Sequence, residues 1–206
     1  MKLRCYARRM HSPEEYLSSA DPVLAPLFRR QGSVVRGSRS CYFESLCRAV
    51  IGQQVSLAAA ATIFSRFEQL TKLEPSAVLA LSERDVKAVG LSCQKCAYLK
   101  DLAGHFLDNP QAYDHLERLS DDEVIAELTK VKGIGIWTEQ MFLIFTLQRP
   151  DVFAPDDVGL QNAIKRLYGL EAVPLKRELE RMAEAWQPYR TAACWQLWES
   201  LKETVA

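Results

Sequence analysis

The sequence predicts an all-α fold. Apolar residues recur at helical spacing along most of the chain, helix-start signals repeat, and no run of strict apolar and polar alternation marks a strand. Ser12-Pro13-Glu14-Glu15 places a capping Ser before Pro, with Glu three positions on, and Asp21-Pro22 opens a second short helix that Gly32 closes. Between Ser40 and Ile51, Phe43, Leu46, Cys47 and Val50 share one face, and Gly52-Gln53-Gln54 then interrupts before the Ala-rich helix after Ser56. Ser82 with Asp85, Ser92, and Ser120 with Glu123 start further helices. Others follow Gly135, Asp156, Pro174 and Pro188, which makes about ten helices in all.

At 206 residues, 48% hydrophobic and 25% charged, the chain can close a substantial core. No repeat of fixed period and no Pro/Gly/Ser-rich linker divides it, so the expectation is one unit, residues 1–206, of two helical lobes. The formal charge of zero excludes a bulk electrostatic pull towards nucleic acid. Charge is nevertheless uneven, because residues 1–50 hold nine Lys/Arg against four Asp/Glu and the remainder 17 against 22. Six cysteines and a start bearing Lys2, Arg4, Arg8 and Arg9, with no apolar run behind it, read as a reducing, intracellular setting. The longest apolar stretches, Leu57 to Phe64 and Met141 to Leu147, are less than half of the roughly 20 residues a membrane span needs. No membrane partner is expected.

Two stretches carry chemistry. In Leu128-Thr129-Lys130-Val131-Lys132-Gly133-Ile134-Gly135-Ile136-Trp137-Thr138 one helix ends and another begins at once. The glycines permit positive φ, N–H groups point outward at a positive helix end, Ile134 tucks inward, and Lys130 and Lys132 add local charge. The turn is either a phosphate-binding hairpin or a plain αα-hairpin. Downstream, Asp151-Val152-Phe153-Ala154-Pro155-Asp156-Asp157 puts two carboxylates at a helix start, where a cap needs only one. The spare anion suits stabilising a developing positive charge or orienting a water.

These residues resemble the helix-hairpin-helix DNA glycosylases. Gly52-Gln53-Gln54-Val55-Ser56, Gly90-Leu91-Ser92 with Lys95, Tyr98 and Leu99, and Trp186 to Arg190 followed by Trp195 and Trp198 resemble the branch called 3-methyladenine DNA glycosylase II. The matches run in family order from about Ser40 to Trp198, with the hairpin at about 121–147. The resemblance implies a glycosylase that releases alkylated purines of the 3-methyladenine and 7-methylguanine type from double-stranded DNA in base excision repair, acting as a monomer. By matched position, Asp157 is the catalytic aspartate and Asp156 its capping neighbour. Trp137 stands where strand-cutting relatives hold a lysine nucleophile, which implies base removal without lyase activity.

The same resemblance places Trp137 and Trp198 on the base pocket, with Met141 where an aromatic is often found. Core packing is the alternative for each Trp, and the expected role of Trp186 and Trp195. Gln53, Gln54, Lys132, Gly133, Ile134 and Gly135 form the implied DNA-binding set, with Gln54 in the loop that supplies a minor-groove plug. The family's hairpin can hold a structural monovalent cation on main-chain carbonyls, here those of Thr129, Val131 and Ile134; no cofactor is required by the resemblance. Relatives with an iron-sulfur cluster carry four cysteines near the carboxyl end, where this chain has only Cys194, and Cys93-x-x-Cys96 lies within a helix pattern, so no metal ligands are assigned. With a short segment before the first matched motif, the β-rich domain found in front of some relatives is not expected. Alternatives are a helix-hairpin-helix binding module without activity, which has no use for Asp157, and a glycosylase for oxidised or mismatched bases.

Overall fold

The computed structural model describes residues 12–32, 41–113 and 115–202, and among them every regular element is a helix. Cys5, Ser40 and the basic residues before Ser12 lie outside that range. Two compact units divide the chain, one of residues 36–148 and the other of residues 1–35 with 149–206.

The first unit holds α3 (Tyr42–Gly52), α4 (Leu57–Thr71), α5 (Pro75–Leu79), α6 (Glu83–Val89), α7 (Cys93–Asp108), α8 (Pro110–Tyr113), a 3-10 turn (Leu116–Arg118), α9 (Asp121–Leu128) and α10 (Ile136–Phe145). Helix starts fall where the serines predict. Ser56, Ser82, Ser92 and Ser120 each accept a backbone N–H three residues on, and Ser82 and Ser120 complete capping boxes with Asp85 and Glu123. Helix α3 is central: it packs against α4, α7 and α10 and buries Phe43, Leu46, Cys47, Val50 and Ile51. Phe43 meets Phe106 edge to face and Phe106 meets Tyr113 at a tilt, with centroids 5.0 and 4.6 Å apart. The short α5 and α8, each beginning at a Pro, were not expected.

The second unit holds α1 (Pro13–Ala20), α2 (Ala25–Gln31), α11 (Val158–Leu167), α12 (Lys176–Glu184) and α13 (Arg190–Ser200). Ser12 caps α1 with the predicted box to Glu15, and Gly32 ends α2 at φ 64°. Asp21-Pro22 does not open α2, which begins at Ala25. The Asp21 carboxylate accepts the nearby Val23 N–H at 3.0 Å and is otherwise taken by tertiary donors, Trp186 Nε1 at 2.8 Å and the Tyr168 hydroxyl. Trp186 is fully buried, as expected of a core residue. Arg190 grips Asp151 through Nε at 2.7 Å and Nη2 at 3.1 Å, and also donates to the Asp151 carbonyl at 2.8 Å. Thr191 accepts the Val152 N–H at 3.1 Å. The extended segment leading to Asp157 is thereby fixed to the start of α13.

Candidate functional site

Asp157 is the N-cap of α11, and its Oδ1 accepts the Leu160 N–H at 2.8 Å. The same oxygen accepts the indole N–H of Trp198 at 2.9 Å. Between them sits Gly159, where an added Cβ would lie 3.0 Å from Oδ1 and 3.1 Å from Trp198 Cδ1. The missing side chain lets the indole close on the carboxylate. Asp156, expected as the cap, is half-exposed and paired with Lys176 at 2.6 Å, a bond that raises the lysine's pKa. The cap falls to Asp157 because the turn at Pro155-Asp156 delays the first helical residue to Val158, and Gln161 Nε2 holds that turn through the Pro155 carbonyl at 2.9 Å. The anion singled out for chemistry is therefore also the one anchored by the helix start.

In the other unit, the hairpin between α9 and α10 takes positive φ at one glycine only. Gly133 lies at φ 80°, and a Cβ there would meet the Tyr98 ring at 2.2 to 2.4 Å. Gly135 is the N-cap of α10 at φ −118°, ψ 175°, an extended conformation open to any residue, with nothing within 4 Å of an added Cβ. Ile134 is buried, as expected. Lys132 donates its N–H to Asp101 at 2.8 Å, while the Gly133 and Gly135 N–H groups have no acceptor among the described residues. The hairpin lysines are not bare charges: Lys130 pairs with Glu127 at 2.6 Å and Lys132 with Asp101 at 3.4 Å. What the turn offers an anion is thus mainly backbone N–H at a helix start.

Gln53 binds the hairpin from the α3–α4 turn, donating from Nε2 to the Gly133 carbonyl at 2.9 Å and to Thr138 Oγ1 at 3.3 Å. Gln54 is exposed at φ 55°. Lys95, its pKa lowered by burial, donates to the Ile51 and Gln53 carbonyls at 2.7 Å each. A cavity of about 370 Å³ opens here, with Gln54, Val55, Gly90, Ser92, Gln94 and Gly133 in its lining. Spacing singled out none of these links, because their partners lie 42 to 85 residues apart in the chain.

Trp137 is 38% exposed and Met141 half-buried; with Phe145, 37% exposed, they form an i, i+4, i+8 stripe on α10. The sequence could not single out Phe145, since α10 is apolar on nearly every side. Trp137 and Met141 belong to one unit, Asp157 and Trp198 to the other. Cys194 is a core thiol whose sulfur lies 3.7 Å from the Val152 carbonyl, and burial raises its pKa. Cys93 is exposed and Cys96 buried on the first turn of α7.

Residues 47–188 match the family described as HhH-GPD superfamily base excision DNA repair protein, a span that holds both the hairpin and Asp157. The chain belongs to this family. It is 36% identical over 165 residues to DNA-3-methyladenine glycosylase 1 of Schizosaccharomyces pombe, covering 78% of this chain and 72% of that one. Among solved structures, the S. pombe 3-methyladenine DNA glycosylase Mag1 in complex with abasic DNA superposes with a TM-score of 0.83 at 34% identity, over 92% of this chain and 96% of the other. The DNA-3-methyladenine glycosidase of Bacillus halodurans gives a TM-score of 0.78 at 34% identity, over 92% and 89% of the two chains. The HhH-GPD fold is the all-helical fold that the sequence predicts.

Proposed function

We propose that this HhH-GPD protein hydrolyses the N-glycosidic bond of alkylated purines in double-stranded DNA and leaves the strand intact. The observation that carries the reading is the Asp157 carboxylate, held at a helix start by two N–H donors on one oxygen. The names of the relatives support the substrate class, and the S. pombe complex with abasic DNA supports the product.

As the bond between C1′ and the base nitrogen breaks, the electron pair leaves with the base and positive charge builds on the sugar. A carboxylate whose position is already fixed stabilises that charge without reorganising, so its effect is larger in the transition state than in the ground state. A base cationic through alkylation departs neutral and needs no protonation. Water then adds its oxygen to C1′, and its proton passes to Asp157 or to solvent. Trp198 orients the carboxylate through its indole N–H, and Trp137 offers an aromatic face to a cationic base. With Trp at position 137, no amine stands there to form a Schiff base. At the hairpin, the Gly133 and Gly135 N–H groups take a DNA phosphate. The Thr129, Val131 and Ile134 carbonyls would hold a monovalent cation, which would supply positive charge to the hairpin; Val131 O accepts one N–H, from Ile134 at 3.2 Å, and keeps a second lone pair.

Asp157→Asn tests the reading. Asn keeps the cap and the shape but deletes the anion, so base release from methylated duplex falls by about 100-fold or more while affinity for the same duplex stays within about 3-fold. If Asp157→Asn keeps most of the single-turnover rate, Asp157 is not the catalytic group.

A further inference from the structure

The α3–α4 turn and the hairpin turn are tied together by bonds that the reaction as described does not use. Helix α3 ends at Gly52, where its last carbonyls lack intrahelical partners. Lys95, from the first turn of α7, supplies a partner to one of these carbonyls and to one just past the helix end: its ammonium donates to the Ile51 and Gln53 carbonyls at 2.7 Å each, one on either side of Gly52. A cation also complements the negative end of α3. The next residue, Gln54, sits at φ 55°, a region that a non-glycine residue enters only under restraint. Gln53, its carbonyl held by Lys95, reaches the hairpin with its side chain, donating to the Gly133 carbonyl at 2.9 Å. Within the next two turns of α7, Tyr98 fills the space beside Gly133 and Asp101 accepts the Lys132 N–H.

We propose that Lys95 is a positioning residue that locks the α3–α4 turn to the hairpin, so that exposed Gln54 is presented at a fixed place beside DNA anchored by the hairpin. The proposal rests on the DNA glycosylase reading above. Most of α3's inward face is already buried by Phe43, Leu46, Cys47, Val50 and Ile51, so the helix does not depend on Lys95 for its place. What depends on Lys95 is the course of the chain after Gly52.

Lys95→Met keeps the apolar stem and removes the ammonium; Gln53→Leu cuts the link to Gly133 while Lys95 stays. Three quantities are read: affinity for an intact duplex, affinity for the same duplex carrying a tetrahydrofuran abasic-site analogue, and the single-turnover rate of base release from methylated duplex at saturating protein. In Lys95→Met, intact-duplex affinity is expected to stay within about 3-fold, since hairpin phosphate contacts remain. Preference for the abasic duplex and the release rate both fall about 10-fold or more in each single variant, and the double variant is no worse than the worse single, because both act through one connection. Full rate and preference in either single variant overturn the proposal. So do losses that multiply in the double variant, or an intact-duplex affinity that falls as far as the rate. Should Lys95→Met fail to fold, Gln53→Leu decides by the same criteria. A wild-type protein that releases no alkylated base refutes the glycosylase reading, while the abasic-duplex preference still tests Lys95.

Discussion

Replacing Gly133 with alanine asks two things of the hairpin at once, and the structure separates them. At φ 80° an L residue pays for left-handed backbone, roughly 1–2 kcal/mol. The new methyl also arrives 2.2 to 2.4 Å from the Tyr98 ring, against an ordinary carbon separation of about 3.5–4.0 Å, so the ring must move by about 1 Å or more. Tyr98 is not free to swing: the ring is half-buried and its hydroxyl accepts the Gln94 amide at 2.6 Å. Overpacking of this kind costs about 1–3 kcal/mol, for a total of about 2–5 kcal/mol. For a chain of this length that lowers Tm by on the order of 10 °C.

The two contributions part in a double-mutant cycle. In a Tyr98→Ala background the clash is gone, and Gly133→Ala costs only the backbone share, leaving a coupling of about 1–3 kcal/mol between the two sites. Urea midpoints followed by far-ultraviolet circular dichroism read the stabilities, and fluorescence anisotropy on an intact duplex reads the hairpin's grip. Gly135→Ala is the control; in its extended conformation with open space around Cβ it costs less than about 1 kcal/mol, the difference between Gly and Ala at an N-cap. Equal losses for Gly133→Ala with and without the tyrosine ring would falsify the claim that Tyr98 dictates glycine there.

Glu139 yields a pH dependence. It is fully buried in α10, neither carboxylate oxygen has a hydrogen-bond partner among the described residues, and burial pushes its pKa up to about 7. The folded state holds this proton more tightly than the unfolded chain does, so the Glu139 contribution to stability is fully present below about pH 4.5 and is lost as pH rises through about 7, by up to about 3 kcal/mol. Glu139→Gln abolishes that component, and the stability difference between variant and wild type, measured by urea unfolding, shifts over that window; a difference that does not vary with pH refutes it. The last expectation concerns the product: borohydride with methylated duplex traps no protein on DNA, and strand breaks appear only after hot alkali. A trapped adduct, or nicking without alkali, would show an amine acting in place of Trp137.

Features settled within three or four residues were legible in the sequence. Ser12, Ser56, Ser82, Ser92 and Ser120 announce helix starts because a capping bond joins a side chain to a backbone N–H three positions on, whatever the rest of the chain does. The hairpin was legible for a similar reason, since Gly-Ile-Gly between two helix patterns leaves few local conformations, and Asp157 was found through its motif. Where two local readings compete, distant partners decide. Asp21 beside Pro looks like a helix opener, yet Trp186, 165 residues away, takes its carboxylate. Asp156 and Asp157 look alike until Trp198 selects one of them and Lys176 the other. Both hairpin glycines look alike until the Tyr98 ring and a positive φ single out Gly133. Lys95 carries no sign in the sequence that its ammonium ends on the carbonyls of Ile51 and Gln53. The division has one physical cause: capping and turn geometry are satisfied within a few peptide units, whereas the tertiary partners of donors, acceptors and anions are chosen only when segments 20 to 165 residues apart meet.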